Sequence, residues 1–404
     1  MKQVAEIVSE PQQRVVNTAL LKDQGLLRKE RIIQQRNGVE VCINGKWLVN
    51  FCSNDYLGLS THPRIKESMV NAVHHYGAGS SASPLVCGKS GVHEDLEYKL
   101  ARITGRDRAL LLSCGYMANL AIQSALVRGR NALVVEDRLC HASIVDAAMI
   151  SRGKFKRYKH ASPEALEKIL IENCGQPTMV LTESVFSMDG DLAPLPELAA
   201  LCGRHKACMV VDDAHGFGVL GKQGLGGAEY FSLDQNAVPL IMATFGKALG
   251  VYGAFVAGPD HLIEAMVQRA RPYIYSTALP VPVVAAASTA LDVLMQDPQP
   301  REHLHQLMKH FHSGVRGMGL DLPAPMSPIF PVIIGDARRT VEISQMLEAE
   351  GVFVSAIRPP TVPRDTSRLR ITLTAAHTLN QVDHLLEVLA KCLKRIGMKA
   401  EAEK

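Results

Sequence analysis

Lys247 is the residue most out of place in this sequence. It stands in TFGKALG, between the apolar runs LIMATF (240–245) and GAFVAG (253–258). Taking an ammonium out of water is so costly that such a lysine either finds a partner or gives up its proton. A neutral amine is the nucleophile that Schiff-base chemistry requires. A lysine on an exposed turn, its stem packed on a sheet, would fit the same position. Thr244 and Gly246 stand beside it and offer a hydroxyl and a bare backbone, both suited to phosphate oxygens.

A second group surrounds two acids. Asp212 and Asp213 end the run ACMVVDD (207–213), and His215 follows. Two acids at one strand end cannot both be buried cheaply, so one should face a cation or a ligand. A solvated pair capping a turn is the plainer reading. A cofactor with a pyridinium nitrogen and a phenolic oxygen would use the carboxylate and the imidazole together. CGYMAN (114–119) places Gly115 and Tyr116 where a helix opens, which suits an anion and equally a simple tight turn. His141 in DRLCHAS (137–143) and Ser187 in FSMDGD (186–191) follow two further apolar runs. Alone, His141 is an ordinary histidine. Beside the others it is a ring that can stack on a flat group.

These residues share one setting. ALLLS (109–113), ALVVED (132–137), TMVLTES (178–184), ACMVVDD and LIMATF are continuous hydrophobic runs. Continuous runs suit strands buried on both faces of a mainly parallel sheet, whereas half-exposed strands alternate. Helical patterns such as PLPELAALCGRHK (194–206) separate them. The fold class is therefore an open α/β sheet, whose ligands gather beyond the carboxyl ends of the strands. Later segments differ. TVEISQMLEAEG (340–351) is an amphipathic helix stopped by Gly351, and FVSAIRPP follows as a strand. RLRITLT (368–374) alternates, with Leu369, Ile371 and Leu373 on one face and Arg368, Arg370 and Thr372 on the other. A last helix repeats apolar residues at Val382, Leu385, Leu386, Leu389, Leu393 and Ile396. The first fifty residues suggest a polar amphipathic helix and a hairpin at Asn44-Gly45. The expected division is an N-terminal arm and hairpin (1–57), a large α/β domain (58–282) and a smaller α+β domain (283–404).

Composition narrows the function. The 404 residues are 47% hydrophobic and 21% charged, with a formal net charge of +4. A sizeable core is available, and neither nucleic acid nor a membrane surface is suggested as a partner. The opening MKQVAEIVSEPQQRVV has no apolar signal core. Nine cysteines without a CxxC suggest a reducing, cytoplasmic setting. Cys202, His205 and Cys208 lack a fourth ligand for zinc, and are expected on a helix end and the strand after it. Residues 240–258 approach the length of a bilayer span, but a central lysine there costs roughly 2.5–3.5 kcal/mol. Two buried strands around a turn are expected instead.

Three motifs compete with this reading. GFGVLG (216–221) fits GxGxxG, the basis of a dinucleotide-dependent oxidoreductase. DDAH separates it from its strand, however, and GKQGLGG follows where a helix should open. SPLVCGKS (83–90) begins with Ser83 where a P-loop needs glycine. No GxSxG elbow accompanies Asp212 and His215, as a hydrolase would require.

The run of motifs resembles the α-oxoamine synthases, pyridoxal-phosphate enzymes of the aspartate-aminotransferase fold (fold type I). The resemblance extends from NFCSNDYLGLS (50–60) through DRLCHASIVDAA, TESVFSMDGDLAPL, VDDAHGFGVLG, TFGKALG and IYSTALP to LRITLTAAHT (369–378). AIRPPTVP (356–363) and TFGK, where sister enzymes usually have TLGK, resemble one branch of the family. That branch condenses L-alanine with a pimeloyl thioester, carried on coenzyme A or acyl carrier protein. It yields 8-amino-7-oxononanoate, CO2 and free thiol, a step in biotin biosynthesis. Sister enzymes use glycine or serine with another acyl-CoA. The resemblance implies that Lys247 forms the imine with pyridoxal 5'-phosphate, Asp212 pairs with the ring nitrogen, His215 bonds the ring oxygen and His141 stacks on the ring. It implies that Gly115, Tyr116, Ser187 and Thr244 line the cofactor, and that Ser276 and Thr277 reach the phosphate of a neighbouring subunit in a homodimer. It assigns Arg28 and Thr361 to substrate, and Asn54 and Arg370 to the amino-acid carboxylate. Phe217, Tyr252 and Cys140 depart from the usual threonine, serine and serine.

Overall fold

The computed structural model describes residues 18–320, 322, 324–395 and 397. Its centre is a seven-stranded sheet in the order β4-β10-β9-β8-β7-β5-β6. The strands are β4 (Arg108–Leu112), β5 (Leu133–Asp137), β6 (Lys154–Tyr158), β7 (Thr178–Glu183), β8 (Cys208–Asp212), β9 (Leu240–Thr244) and β10 (Ala254–Gly258). The β5–β6, β5–β7, β7–β8 and β8–β9 pairs are parallel, and β10 runs antiparallel to both β4 and β9. The five continuous apolar runs are five of these strands. The 240–258 segment forms β9, a turn and β10. No helix among the described residues is long and apolar enough to cross a membrane.

Both sheet faces are covered, which is why the strands show no alternation. Val134, Leu181, Val210 and Met242 pack on one side with the helix Gly115–Leu126. Val135, Val180, Val211 and Ile241 pack on the other, with the helices Pro163–Glu172 and Leu195–His205. Cys202 and His205 lie in the last turns of that second helix, and Cys208 opens β8. All nine cysteines are free thiols.

Two small sheets flank this core. The hairpin β2 (Glu40–Ile43) and β3 (Lys46–Asn50) turns at Asn44 and Gly45, both with positive φ (53° and 75°). Such a turn suits the strand twist, and its second position favours glycine. β1 (Gln35–Asn37) flanks β2, while β3 pairs in parallel with β12 (Val352–Phe353), some three hundred residues later. The other small sheet is β11 (Ile329–Gly335), β14 (Ser367–Thr372) and β13 (Ser355–Ile357), all antiparallel. Leu369, Ile371 and Leu373 join one core cluster with Ile343 and Leu347 of the helix Ala337–Ala349, and with Val382, Leu385 and Leu389 of the helix Leu379–Arg395. Ile396, expected on that last stripe, lies outside the described residues, as do residues 1–17 of the expected N-terminal helix. The described part of that helix is Thr18–Asp23, none of it buried.

The opposite face of β14 is not a solvent face. Arg368 and Arg370 are buried and reach across to the loop after β7. Arg368 Nη1 donates to Asp189 Oδ1 at 2.6 Å and to the Met188 carbonyl at 3.1 Å, and Arg370 Nε donates to the Ser187 carbonyl at 2.7 Å. The two arginines dock the small C-terminal sheet on the large one.

Candidate active site

Because β4, β5, β7, β8 and β9 all point the same way, the loops after them meet at one sheet edge. β8 delivers Asp212, which is buried, with Asp213 and His215 behind it. Both acids are buried, and they point apart. Asp213 turns inward, where its Oδ2 accepts from the Gly227 N–H at 2.7 Å and its Oδ1 accepts from the Ser184 hydroxyl. Asp212 turns to the site. Its Oδ1 accepts from the Ala214 N–H at 3.0 Å and its Oδ2 from Asn119 Nδ2 at 2.8 Å.

The glycines of GFGVLG serve this inward turn. A Cβ on Gly216 would sit 2.1 Å from Asp213 Oδ1, and one on Gly218 would sit 2.4 Å from the Ala248 Cβ. Gly218 also has a φ of +89°, a conformation that side chains resist. The segment is a loop that wraps Asp213 and packs beside Lys247, so the dinucleotide reading fails on geometry.

Lys247 lies in the turn between β9 and β10; its carbonyl accepts from the Gly250 N–H at 2.8 Å, while its amine has no hydrogen-bonding partner among the described residues. Burial pushes its amine down to about 8, although Asp212 and Glu183 pull the other way. Glu183 ends β7 opposite Asp212 and accepts from the His141 N–H at 2.6 Å. Burial, reinforced by Asp212, pushes its carboxyl well above the usual range. His141 caps the helix Ala142–Ile150, its Nδ1 accepting from the Ser143 N–H at 3.2 Å. His215 is buried, and its Nδ1 is 2.7 Å from the Tyr56 hydroxyl. Burial first, then Lys247 and Arg370, push His215 well below its ordinary value, so its imidazole is neutral.

Other expected residues vary in how they join the site. Gly115 and Tyr116 open the helix Gly115–Leu126, whose N-cap Cys114 makes no side-chain cap, so the first N–H groups point free. The Tyr116 hydroxyl is held by Asp146. Thr244 Oγ1 donates to the Gly253 carbonyl at 2.8 Å and accepts from the Gly246 N–H at 3.1 Å, so the pair expected to greet a phosphate is engaged with its own turn. Ser187 is buried. Asn54 Oδ1 accepts from Arg370 Nη1 at 3.2 Å, and the Tyr56 hydroxyl oxygen lies at the same distance from it. Arg28 and Thr361 are exposed and share a neighbour, Arg358. The Thr361 N–H donates to the Arg358 carbonyl at 3.1 Å, and Arg28 acts on Arg358 through charge. Ser276 and Thr277 line a small cavity with Leu112 and Ser113, just ahead of Gly115.

Four residues of the site carried no assignment from the sequence. Asn119 stands one turn into its helix and bonds both Asp212 and the Ser143 hydroxyl, the latter at 2.9 Å. Glu183 and Tyr56 lie inside the quoted motifs TESVFSMDGD and NFCSNDYLGLS. A third acid at a strand exit was the available signal for Glu183. Arg358 lies in AIRPPTVP.

The residues fit pyridoxal phosphate. Asp212 offers a carboxylate already fixed by two donors, His215 a neutral imidazole with one nitrogen free of protein partners, Lys247 a depressed unpartnered amine, and Gly115 an open helix end for a phosphate. Fold and site together define a fold type I pyridoxal-phosphate enzyme.

Residues 46–389 match the aminotransferase class I and II family. The 8-amino-7-oxononanoate synthase of Methylococcus capsulatus is 49% identical over 92% of this chain and 96% of its own. That of Cellvibrio japonicus is 46% identical over 93% and 94%. Among solved structures, the serine palmitoyltransferase of Sphingomonas wittichii superimposes with a TM-score of 0.89 at 30% identity, covering 98% of each chain. The 8-amino-7-oxononanoate synthase of Francisella tularensis superimposes with 0.76 at 31%, covering 87% of this chain and 99% of that one. An SPT structure with a PLP internal aldimine reaches 0.91 at 30% identity, over 97% and 99%. The chain belongs to the class I and II aminotransferase family and, within it, to the 8-amino-7-oxononanoate synthases.

Proposed function

We propose that the protein condenses L-alanine with a pimeloyl thioester, releasing CO2 and the thiol carrier and forming 8-amino-7-oxononanoate for biotin biosynthesis. The observation that carries this is the meeting, at one sheet edge, of the depressed Lys247 amine, the pinned Asp212 carboxylate and the buried Arg370 guanidinium. Pyridoxal phosphate, when bound, supplies an aldehyde that condenses with amines and a ring that draws electrons from the substrate Cα.

The side chains divide the remaining work. Lys247 holds the cofactor, then removes and returns the proton at the substrate Cα. Asp212 keeps a proton on the ring nitrogen, His215 donates to the ring oxygen, and His141 covers the ring face. Ser187, Thr244, Gly115 and Tyr116 line the cofactor. Arg370, with Asn54, grips the amino-acid carboxylate, fixing the carbon–carbon bond that breaks when CO2 leaves. Arg28 and Thr361, beside Arg358, take the acyl chain. We assign Ser276 and Thr277 to the phosphate of a partner subunit in a cytoplasmic homodimer. The exposed Leu85, Val86 and Tyr275 support a covered face in that region.

The test is incubation of the cofactor-loaded protein with pimeloyl-CoA or pimeloyl-acyl carrier protein and L-alanine, glycine or L-serine, followed by mass spectrometry. The expected product is 8-amino-7-oxononanoate, formed from alanine. Preferential turnover of glycine or serine with another acyl-CoA would place the chain with the sister synthases instead.

A further inference from the structure

The Tyr56 side chain is fully buried within the main apolar cluster, yet it carries a hydroxyl. That hydroxyl lies 2.7 Å from His215 Nδ1 and 3.2 Å from Asn54 Oδ1, with the Arg370 guanidinium, a donor only, beside it. It has one proton to give. Asn54 Oδ1 already accepts from Arg370 Nη1. The shorter contact and the less committed acceptor are both at His215.

We propose that Tyr56 is a positioning residue that donates to His215 Nδ1 and so confines the imidazole proton to Nε2, the nitrogen left to meet the cofactor's ring oxygen. This rests on the functional reading above, in which His215 bonds that oxygen. A neutral imidazole carries a single N–H, so the partner of one nitrogen dictates what the other presents. His215 is held neutral by burial and by the cations Lys247 and Arg370. Burial pushes the Tyr56 phenol up, so it stays a donor. With Nδ1 occupied as an acceptor, Nε2 must be the donor. Without Tyr56, the proton is free to settle on Nδ1. A lone pair would then face an electron-rich oxygen, and the hydrogen bond becomes a repulsion. The chain Arg370–Asn54–Tyr56–His215 also makes Tyr56 the link between the arginine assigned to the substrate carboxylate and the histidine assigned to the cofactor ring.

The test uses the full chain labelled with 15N-histidine, before and after loading with pyridoxal phosphate. Long-range proton–nitrogen NMR reads the His215 tautomer, with His215→Asn supplying the assignment. The expected cofactor-free spectrum shows an unprotonated Nδ1 and a protonated Nε2 for His215. Tyr56→Phe should lose that single form. In the loaded protein it should also raise the spectrophotometric pKa of the Lys247 imine by about one unit, a tenfold change in the equilibrium. A protonated Nδ1 in the cofactor-free wild type overturns the proposal, whatever the variant does. Identical nitrogen shifts and an identical imine pKa in Tyr56→Phe also overturn it. The cofactor-free measurement does not depend on Lys247 binding anything, so its outcome is separate from that of the functional reading.

Discussion

Glu183 and Asp212 face each other in the parallel register of β7 and β8, two buried carboxyls that act on one amine, Lys247. They are not equivalent. Asp212 has two hydrogen-bond donors fixing both oxygens, while burial beside Asp212 pushes Glu183 well above the carboxylate range. Burial therefore favours a proton on Glu183, and Asp212, its oxygens pinned by donors, is the carboxylate assigned to the ring nitrogen.

Replacing that charge should cost turnover far more than binding. Asp212→Asn keeps the shape but not the charge. We expect cofactor uptake by absorbance titration to survive, with kcat reduced by at least about 10³-fold. An Asp212→Asn enzyme with full activity would remove the electron-withdrawing role from the ring nitrogen.

Asn119 orients Asp212 by donating to its Oδ2. Asn119→Ala removes a charge-assisted hydrogen bond of the order of 1.5–3 kcal/mol. The expected result is a fall in kcat of roughly ten- to a hundredfold with little change in KM for the amino acid, and a lower Tm. Steady-state kinetics and thermal melts read both.

His160 joins the loops that carry His141 and Ser187. Its Nδ1 is 2.9 Å from Asp137 Oδ1 and its Nε2 is 2.8 Å from Asp191 Oδ2. Burial alone would depress it, but the two carboxylates outweigh burial and raise it to about 10 from 6.5. A raised folded value means that the stabilisation is complete below about pH 6.5 and is lost as pH climbs through about 10. Urea unfolding should show stability declining across that window. His160→Gln should flatten the decline and cost on the order of 3 kcal/mol at neutral pH.

The amine of Lys247 sets when the cofactor can be captured. Burial places it at about 8, so the neutral form dominates above that pH. Imine formation by cofactor-free protein, followed by stopped-flow absorbance, should accelerate up to about pH 8 and then level off. A rate that keeps climbing towards pH 10.5 would mean an ordinary exposed lysine.

What the sequence revealed followed from periodicity and punctuation. Five continuous apolar runs announced five central strands, and Asn44-Gly45 announced its hairpin. β6 was missed because KFKRY is an edge strand with exposed polar residues and no apolar run. The β3–β12 pairing is a contact between distant segments, and local patterns hold no trace of it. The polar alternation of β14 was visible, but its meaning was not. Only the fold shows that Arg368 and Arg370 are buried against the loop after β7. In the site, Lys247, Asp212 and His215 stood out because charge beside apolar strands is costly. Asn119 did not, because an amide one helical turn past a glycine has no signature until the strand beside it is known.

The central claim is that Lys247 carries the cofactor, and borohydride tests it most directly. The protein would be loaded with pyridoxal phosphate, reduced, digested and mapped by mass spectrometry. The account predicts a single phosphopyridoxyl adduct, on the peptide containing Lys247, absent from Lys247→Ala. An adduct on another lysine, or none at all, would contradict it.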